Sequence, residues 1–157
     1  MRQKILVAFD DSENAMRAVE HVARYFDKDS QVTLFSVIPE YDFKCMMDLT
    51  SLNPNQIEFH DSICSEMQTE KKRQMELLLQ QAKNILLKAG FNEKKVTIKI
   101  DRKSSDVARD IVKEGSAGYD TIVMGRRGRS AFKEFFLGSI SQKVLHGAKD
   151  KSVLIVG

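Results

Sequence analysis

Between Val123 and Ser141 the chain reads VMGRRGRSAFKEFFLGSIS, a run holding three glycines, three arginines and three serines. Glycine lets a backbone come close to a ligand or turn with positive φ, so Gly125 and Gly128 suit a loop whose N–H groups wrap an anion. Gly138 offers the same freedom just before Ser139 and Ser141. If a helix starts there, its first N–H groups, its dipole and the two hydroxyls all favour a phosphate. Each residue type also has a plainer use, in turns, caps or solubility, and Ser139 is a good N-cap in its own right. Only the run taken whole points to phosphate.

Other chemistries fit less well. The run contains neither G-x-x-x-x-G-K-[ST] nor G-x-G-x-x-G, which excludes the P-loop and dinucleotide-binding patterns, and GSIS is not a nucleophile elbow. His21, His60 and His146 fall in separate segments with no triad spacing. His60 and Cys64 stand one helical turn apart, but two ligands do not make a metal site. For hydrolysis, Arg126, Arg127 and Arg129 supply charge stabilisation, while no residue is marked as the base and Asp10 or Asp11 would be a guess. The catalytic residue of any such reaction is unknown.

The elements that must position these residues alternate along the chain. KILVAF (4–9) reads as a buried strand ending at Asp10, and Ala15, Ala18, Val19, Val22, Ala23 and Phe26 then recur at helical spacing behind a possible cap, Ser12. QVTLFSVI (31–38) is a second strand stopped by Pro39. A long helix follows, with Met67, Met75, Leu78, Leu79, Ala82, Ile85, Leu86 and Ala89 expected on its buried side and Gly90 as its stop. VTIKI (96–100) is a third strand, a helix starting from Ser104 or Ser105 carries Val107, Ala108, Ile111 and Val112, and DTIVMG supplies the fourth strand. A last helix from near Ser139 and the strand SVLIV complete an α/β chain with a parallel sheet. In such a sheet ligands bind where the strand order reverses, outside the carboxyl ends of the strands. Asp10 and the glycine run both follow strands. Residues 41–66 read as an irregular or partly helical excursion inside one domain spanning 1–157.

Composition sets the outer bounds. With 157 residues, 42% apolar and 30% charged, the chain has the size and balance of one globular domain. The net charge of +3 is uneven: Thr121–Gly157 carries +5, leaving −2 for the rest. A local basic excess beside glycines suits a small anion and not a nucleic-acid surface, which needs charge over a wider stripe. No segment has the length of a membrane span, and the opening MRQKILVAFDDSE meets an aspartate pair too soon for a signal peptide. A cytoplasmic protein is expected, with Cys45 and Cys64 reduced.

Gly125, Gly128, Gly138 and Ser139 also fit the spacing G-x2-G-x9-G-[ST], which resembles the nucleotide-binding signature of the universal stress protein family. ILVAFDDSENAMRAVEHV resembles that family's opening strand and helix, and DTIVMGRRGRS and SVLIV resemble its last two strands. The resemblance implies an open, Rossmann-like sheet of five parallel strands in the order 3-2-1-4-5, helices on both faces, the adenine nucleotide alpha hydrolase-like fold. It implies a homodimer, and in one branch ATP, with Mg²⁺ or Mn²⁺ held through the phosphates. Carried over by position, Asp10 and Val37 meet the adenine and ribose with Ala8 beside them. Met124, Gly125, Arg127 and Gly128 line the ribose and phosphate path, and Gly138, Ser139, Ile140 and Ser141 hold the phosphates. Ala8 stands where the family often has proline, and the segments before the third helix and the last strand lack a frequent glycine and proline. Three functions follow in order: an ATP-binding stress-response switch, a nucleotide-independent interaction module dimerising through its final strand, and a slow ATPase.

Overall fold

The computed structural model describes residues 2–38, 53–102, 104, 106–126 and 137–157. The apolar run Lys4–Ala8 forms β1, in which every residue but Lys4 is buried. Its alternate side chains point to opposite faces of the sheet, Ile5 and Val7 to one core and Leu6 and Ala8 to the other. Helix α1, Glu13–Tyr25, starts where Ser12 accepts a hydrogen bond from Ala15 N–H at 3.1 Å. It buries Ala15, Ala18, Val19, Val22 and Ala23. The chain continues through β2 (Gln31–Ile38), α2 (Pro54–Lys88), a 3₁₀ turn (Glu93–Lys95), β3 (Val96–Arg102), α3 (Val107–Gly115), β4 (Thr121–Gly125), α4 (Ser139–Gly147) and β5 (Ser152–Val156).

The five strands lie in the order β3-β2-β1-β4-β5 and every pairing is parallel, as the sequence leads one to expect. Ile5 pairs with Val32 on one side and with Thr121 on the other, so β1 is the central strand. Two cores result. Residues of α1 and α2, including Val19, Leu79 and Leu86, cover the Ile5/Val7 face. Ala108 and Ile111 of α3 and Val144 of α4 cover the face of Leu6, Phe35, Ile122 and Met124. Full burial of a side chain such as Leu79 or Leu86 contributes about 1.5–3 kcal/mol.

Several boundaries differ from the sequence reading for identifiable reasons. Helix α2 begins at Pro54, inside the 41–66 stretch, because Asn53 and Gln56 exchange two hydrogen bonds at its start, 3.0 Å and 2.9 Å. This is a capping box with proline in the first turn. Pro39 and residues 41–52 of that stretch, Cys45 among them, lie outside the described residues. Met67, expected on the buried side of α2, is 44% exposed. Helix α3 is capped by Asp106, whose carboxylate accepts from Ala108 N–H at 3.2 Å, and not by Ser104, which donates its own N–H to Asp110 at 3.0 Å. Ser105 lies outside the described residues. Gly138, not Ser139, occupies the N-cap of α4. Helix α2 does stop at Gly90, whose φ of +99° a side chain would oppose.

Beside α3, Lys99 Nζ donates to Glu114 at 2.6 Å, and the Tyr119 hydroxyl lies 3.2 Å from Glu114 and 3.1 Å from the Thr33 hydroxyl. The bond to Glu114 holds the Lys99 ammonium above its ordinary range. Burial pushes the Tyr119 phenol up, and the Glu114 charge adds to it. No helix among the described residues is long and apolar enough to cross a membrane.

Candidate functional site

A cleft opens at the carboxyl ends of β1 and β4, where the strand order reverses. Its floor is the end of the sheet: Ala8, Phe9 and Asp10 after β1, Phe35 and Val37 of β2, and Met124 and Gly125 of β4. Val107 and Ile111 of α3 form one wall, Ile140 and Ser141 of α4 another, and Ser12 and Ala15 of α1 a third. Most of this lining is apolar. The polar groups gather near the starts of α1 and α4.

Asp10 is fixed by the turn that starts α1. Its Oδ1 accepts from the Ser12 N–H at 3.1 Å and from the Ser12 hydroxyl. That same hydroxyl oxygen caps α1 by accepting from Ala15 N–H. Both of these bonds fall on Oδ1, leaving Oδ2 as the acceptor for an incoming hydroxyl.

Gly125 is constrained from behind. A Cβ there would lie 2.7 Å from the Asn14 backbone carbon and 2.8 Å from its carbonyl oxygen, so glycine lets the first turn of α1 press against the end of β4. Its own carbonyl accepts the Ser141 hydroxyl at 3.0 Å, and Ser141 is buried. This hydroxyl ties α4 to β4, and the part of Ser141 that remains for an anion is its N–H. Arg126 N–H donates to Val156 O at 2.6 Å, and Gly138 N–H donates to Arg126 O at 3.0 Å, so both ends of the glycine-rich segment are anchored side by side. The first intrahelical bond of α4 is Gln142 N–H to Gly138 O, 2.9 Å. Consequently the N–H groups of Ser139, Ile140 and Ser141 have no acceptor within the helix.

Of the eleven residues that sequence singles out, Ala8, Asp10, Val37, Met124, Gly125, Ile140 and Ser141 are brought together around this cleft. Gly138 and Ser139 stand at the start of α4, with Ser139 exposed. Arg127 and Gly128 lie outside the described residues. Phe9, Ser12, Ala15, Phe35, Val107 and Ile111 also line the cleft and were not among the candidates. Phe9, directly after β1, was within reach of the strand-end rule, whereas Phe35 lies inside β2. Val107 and Ile111 carry no signal beyond helical periodicity. Among the described residues no group of three or more His, Cys, Asp or Glu side chains gathers to hold a metal.

The sequence matches the family model for the universal stress protein family over residues 1–157. The chain belongs to that family. Universal stress protein MJ0577 of Methanocaldococcus jannaschii is 28% identical over 163 residues, covering 99% of this chain and 95% of its own. Universal stress protein Sll1388 of Synechocystis sp. is 32% identical over 160 residues, covering 98% and 96%. The solved structure of MJ0577 matches this universal stress protein with a TM-score of 0.71 at 26% identity, over 99% of this chain and 96% of that one. A universal stress protein solved in complex with cAMP shares the fold, with a TM-score of 0.61 at 16% identity over 99% of this chain and 96% of that one.

Proposed function

We propose that this universal stress protein is a cytosolic switch that binds ATP in the β1/β4 cleft, and that occupancy alters its shape or partner preference. One observation carries the reading: the start of α4, with three N–H groups lacking helical acceptors, borders an apolar cleft at the reversal of strand order. The two halves of that arrangement fit the two halves of a nucleotide. An adenine base fits against Ala8, Val37 and Met124, with Asp10 Oδ2 accepting from a ribose hydroxyl. Phosphates fit the N–H groups of Ser139, Ile140 and Ser141 and the Ser139 hydroxyl, joined by Arg127 and Gly128 from the glycine-rich segment. The donor set is right for an anion. A Mg²⁺ or Mn²⁺ ion, when bound, would offset triphosphate charge and be held chiefly through the phosphate oxygens. The adenine nucleotide in the cAMP-bound relative belongs to the ligand class proposed here. Dimerisation through the β5 edge belongs to the same proposal, since among the described residues β5 ends the sheet.

Ser139→Glu tests the site with opposite signs for its two roles. A carboxylate in the first turn of a helix favours the helix dipole, so the variant should be at least as stable as the parent. The same carboxylate repels a phosphate. Titration with Mg²⁺ and ATP should show affinity weakened by about tenfold or more, a loss of about 1.4 kcal/mol. Unchanged affinity would remove the start of α4 from the site. Mass spectrometry of small molecules released on denaturing fresh protein supplies the companion result: no adenine nucleotide, together with no binding in the titration, would favour the nucleotide-independent interaction module.

A further inference from the structure

Two of the helices that wall the cleft are tied to each other. Helix α3 contributes Val107 and Ile111 to the lining and α4 contributes Ile140 and Ser141. Between them Lys143 Nζ donates to Asp106 Oδ2 at 2.8 Å. Asp106 immediately precedes Val107, and Lys143 comes one helical turn after Ile140, so both partners of this ion pair stand next to side chains that face the cleft. The N–H groups of Ser139, Ile140 and Ser141, proposed above as phosphate donors, lie in the first turn of the helix that carries Lys143.

Helix geometry puts Lys143 within reach of either neighbour. Residue 143 lies about 6 Å further along the axis than residue 139 and about 40° round from it, on the same face. Side chains on a helix lean toward its N-terminus, so the flexible four-carbon stem of Lys143 can run back over the turn that starts α4. That turn holds no acidic residue. Asp106, for its part, uses its two oxygens differently. Oδ1 accepts from Ala108 N–H at 3.2 Å and caps α3, while Oδ2 takes the ammonium, so the cap does not depend on Lys143. Both side chains meet water, Lys143 61% and Asp106 40% exposed, and an ion pair in that setting is weak and readily exchanged.

We infer that Lys143 changes partner when nucleotide binds, leaving Asp106 and donating its ammonium to the phosphates at the start of α4. The inference rests on the nucleotide reading proposed above, and it adds a charged side chain to that site. A triphosphate outcompetes one carboxylate for the ammonium because it offers more charge and more acceptor oxygens. Occupancy then unties the start of α3 from α4, while Asp106 goes on capping α3. This is a change of shape that a binding switch requires, and it starts at the wall of the cleft.

The two ends of the ion pair test this with opposite signs. If the pair were only a strap, Lys143→Met and Asp106→Asn would break it alike and move ATP affinity in the same direction. Under exchange, Lys143→Met removes a phosphate donor, and titration with Mg²⁺ and ATP should show affinity weakened about tenfold. Asp106→Asn keeps the cap, since asparagine caps as well as aspartate, and releases Lys143, so affinity should tighten about two- to fivefold. In the Lys143→Met background that gain should largely disappear, because there is no longer an ammonium to compete for. Lys149→Met removes the same charge beyond the far end of α4 and should bind within about twofold of the parent. Circular dichroism confirms that each variant is folded. Shifts of one sign in the two single variants, parent-like affinity in either, a gain that survives in the double variant, or a Lys149→Met loss as large as that of Lys143→Met overturns the exchange and leaves the nucleotide site standing. A parent that binds no ATP brings down both.

Discussion

Gly125 and Ser141 show how much of the site is set by packing before any ligand arrives. Gly125→Ala should cost about 1–3 kcal/mol in urea unfolding, because the added methyl meets Asn14 backbone at 2.7 Å and α1 must move. Ser141→Ala removes the bond to the Gly125 carbonyl and should cost about 1–3 kcal/mol. Under the proposed function the Ser141 N–H and not its hydroxyl meets the phosphate, so ATP affinity in that variant should remain within a few-fold of the parent. A pH effect belongs to the Tyr119 cluster. Its phenol and the Lys99 ammonium are both raised on folding. Their stabilisation is therefore complete below the unfolded values, about 10 and 10.4, and is lost as pH rises through the folded ones. Urea midpoints should hold steady to about pH 10 and fall above it, less steeply in Tyr119→Phe.

At the scale of elements, the start of α2 is the most exposed to change, since among the described residues the core holds only the other end. Asn53→Ala breaks the capping box and should cost about 1 kcal/mol, read as faster amide exchange across 55–65 with the amides near Leu79 and Leu86 unaffected. This helix also marks where sequence becomes hard to read. Strands such as KILVA and TIVMG were legible because both faces are buried and the run is short and apolar. The first half of α2 was not, because Ile57 and Cys64 turn to one side while Phe59 and Ile63 turn to the other, and a helix with apolar residues on both sides has no single buried stripe. The site divides in the same way. Asp10, Gly125 and Ser141 were legible from strand ends and spacing, while Phe35, Val107 and Ile111 read only as core.

For the whole molecule, the proposed binding would link ligand and fold through the cleft, which draws its lining from three strands and three helices. A nucleotide that binds only the folded chain stabilises it by about 2.7 kcal/mol at a concentration one hundred times Kd. Mg²⁺ with ATP should therefore raise the melting temperature of the parent by several degrees and that of Ser139→Glu by about half as much or less at the same concentration, where a tenfold weaker Kd leaves about 1.4 kcal/mol. Equal shifts in both proteins would place the stabilising site elsewhere.

The central position of β1 has a consequence for how the protein is made. Lys4 donates its N–H to Asp120, 116 residues further along, and Ile5 pairs with Thr121. While a ribosome is still extending the chain, β1 can pair with β2, but its other edge stays bare until β4 has emerged. The nascent chain thus carries an apolar, unpaired edge through most of its synthesis, the interval in which it is most open to aggregation or to a chaperone. Truncations ending before Thr121 should be recovered in inclusion bodies or bound to chaperones, and those extending through Val156 in the soluble fraction.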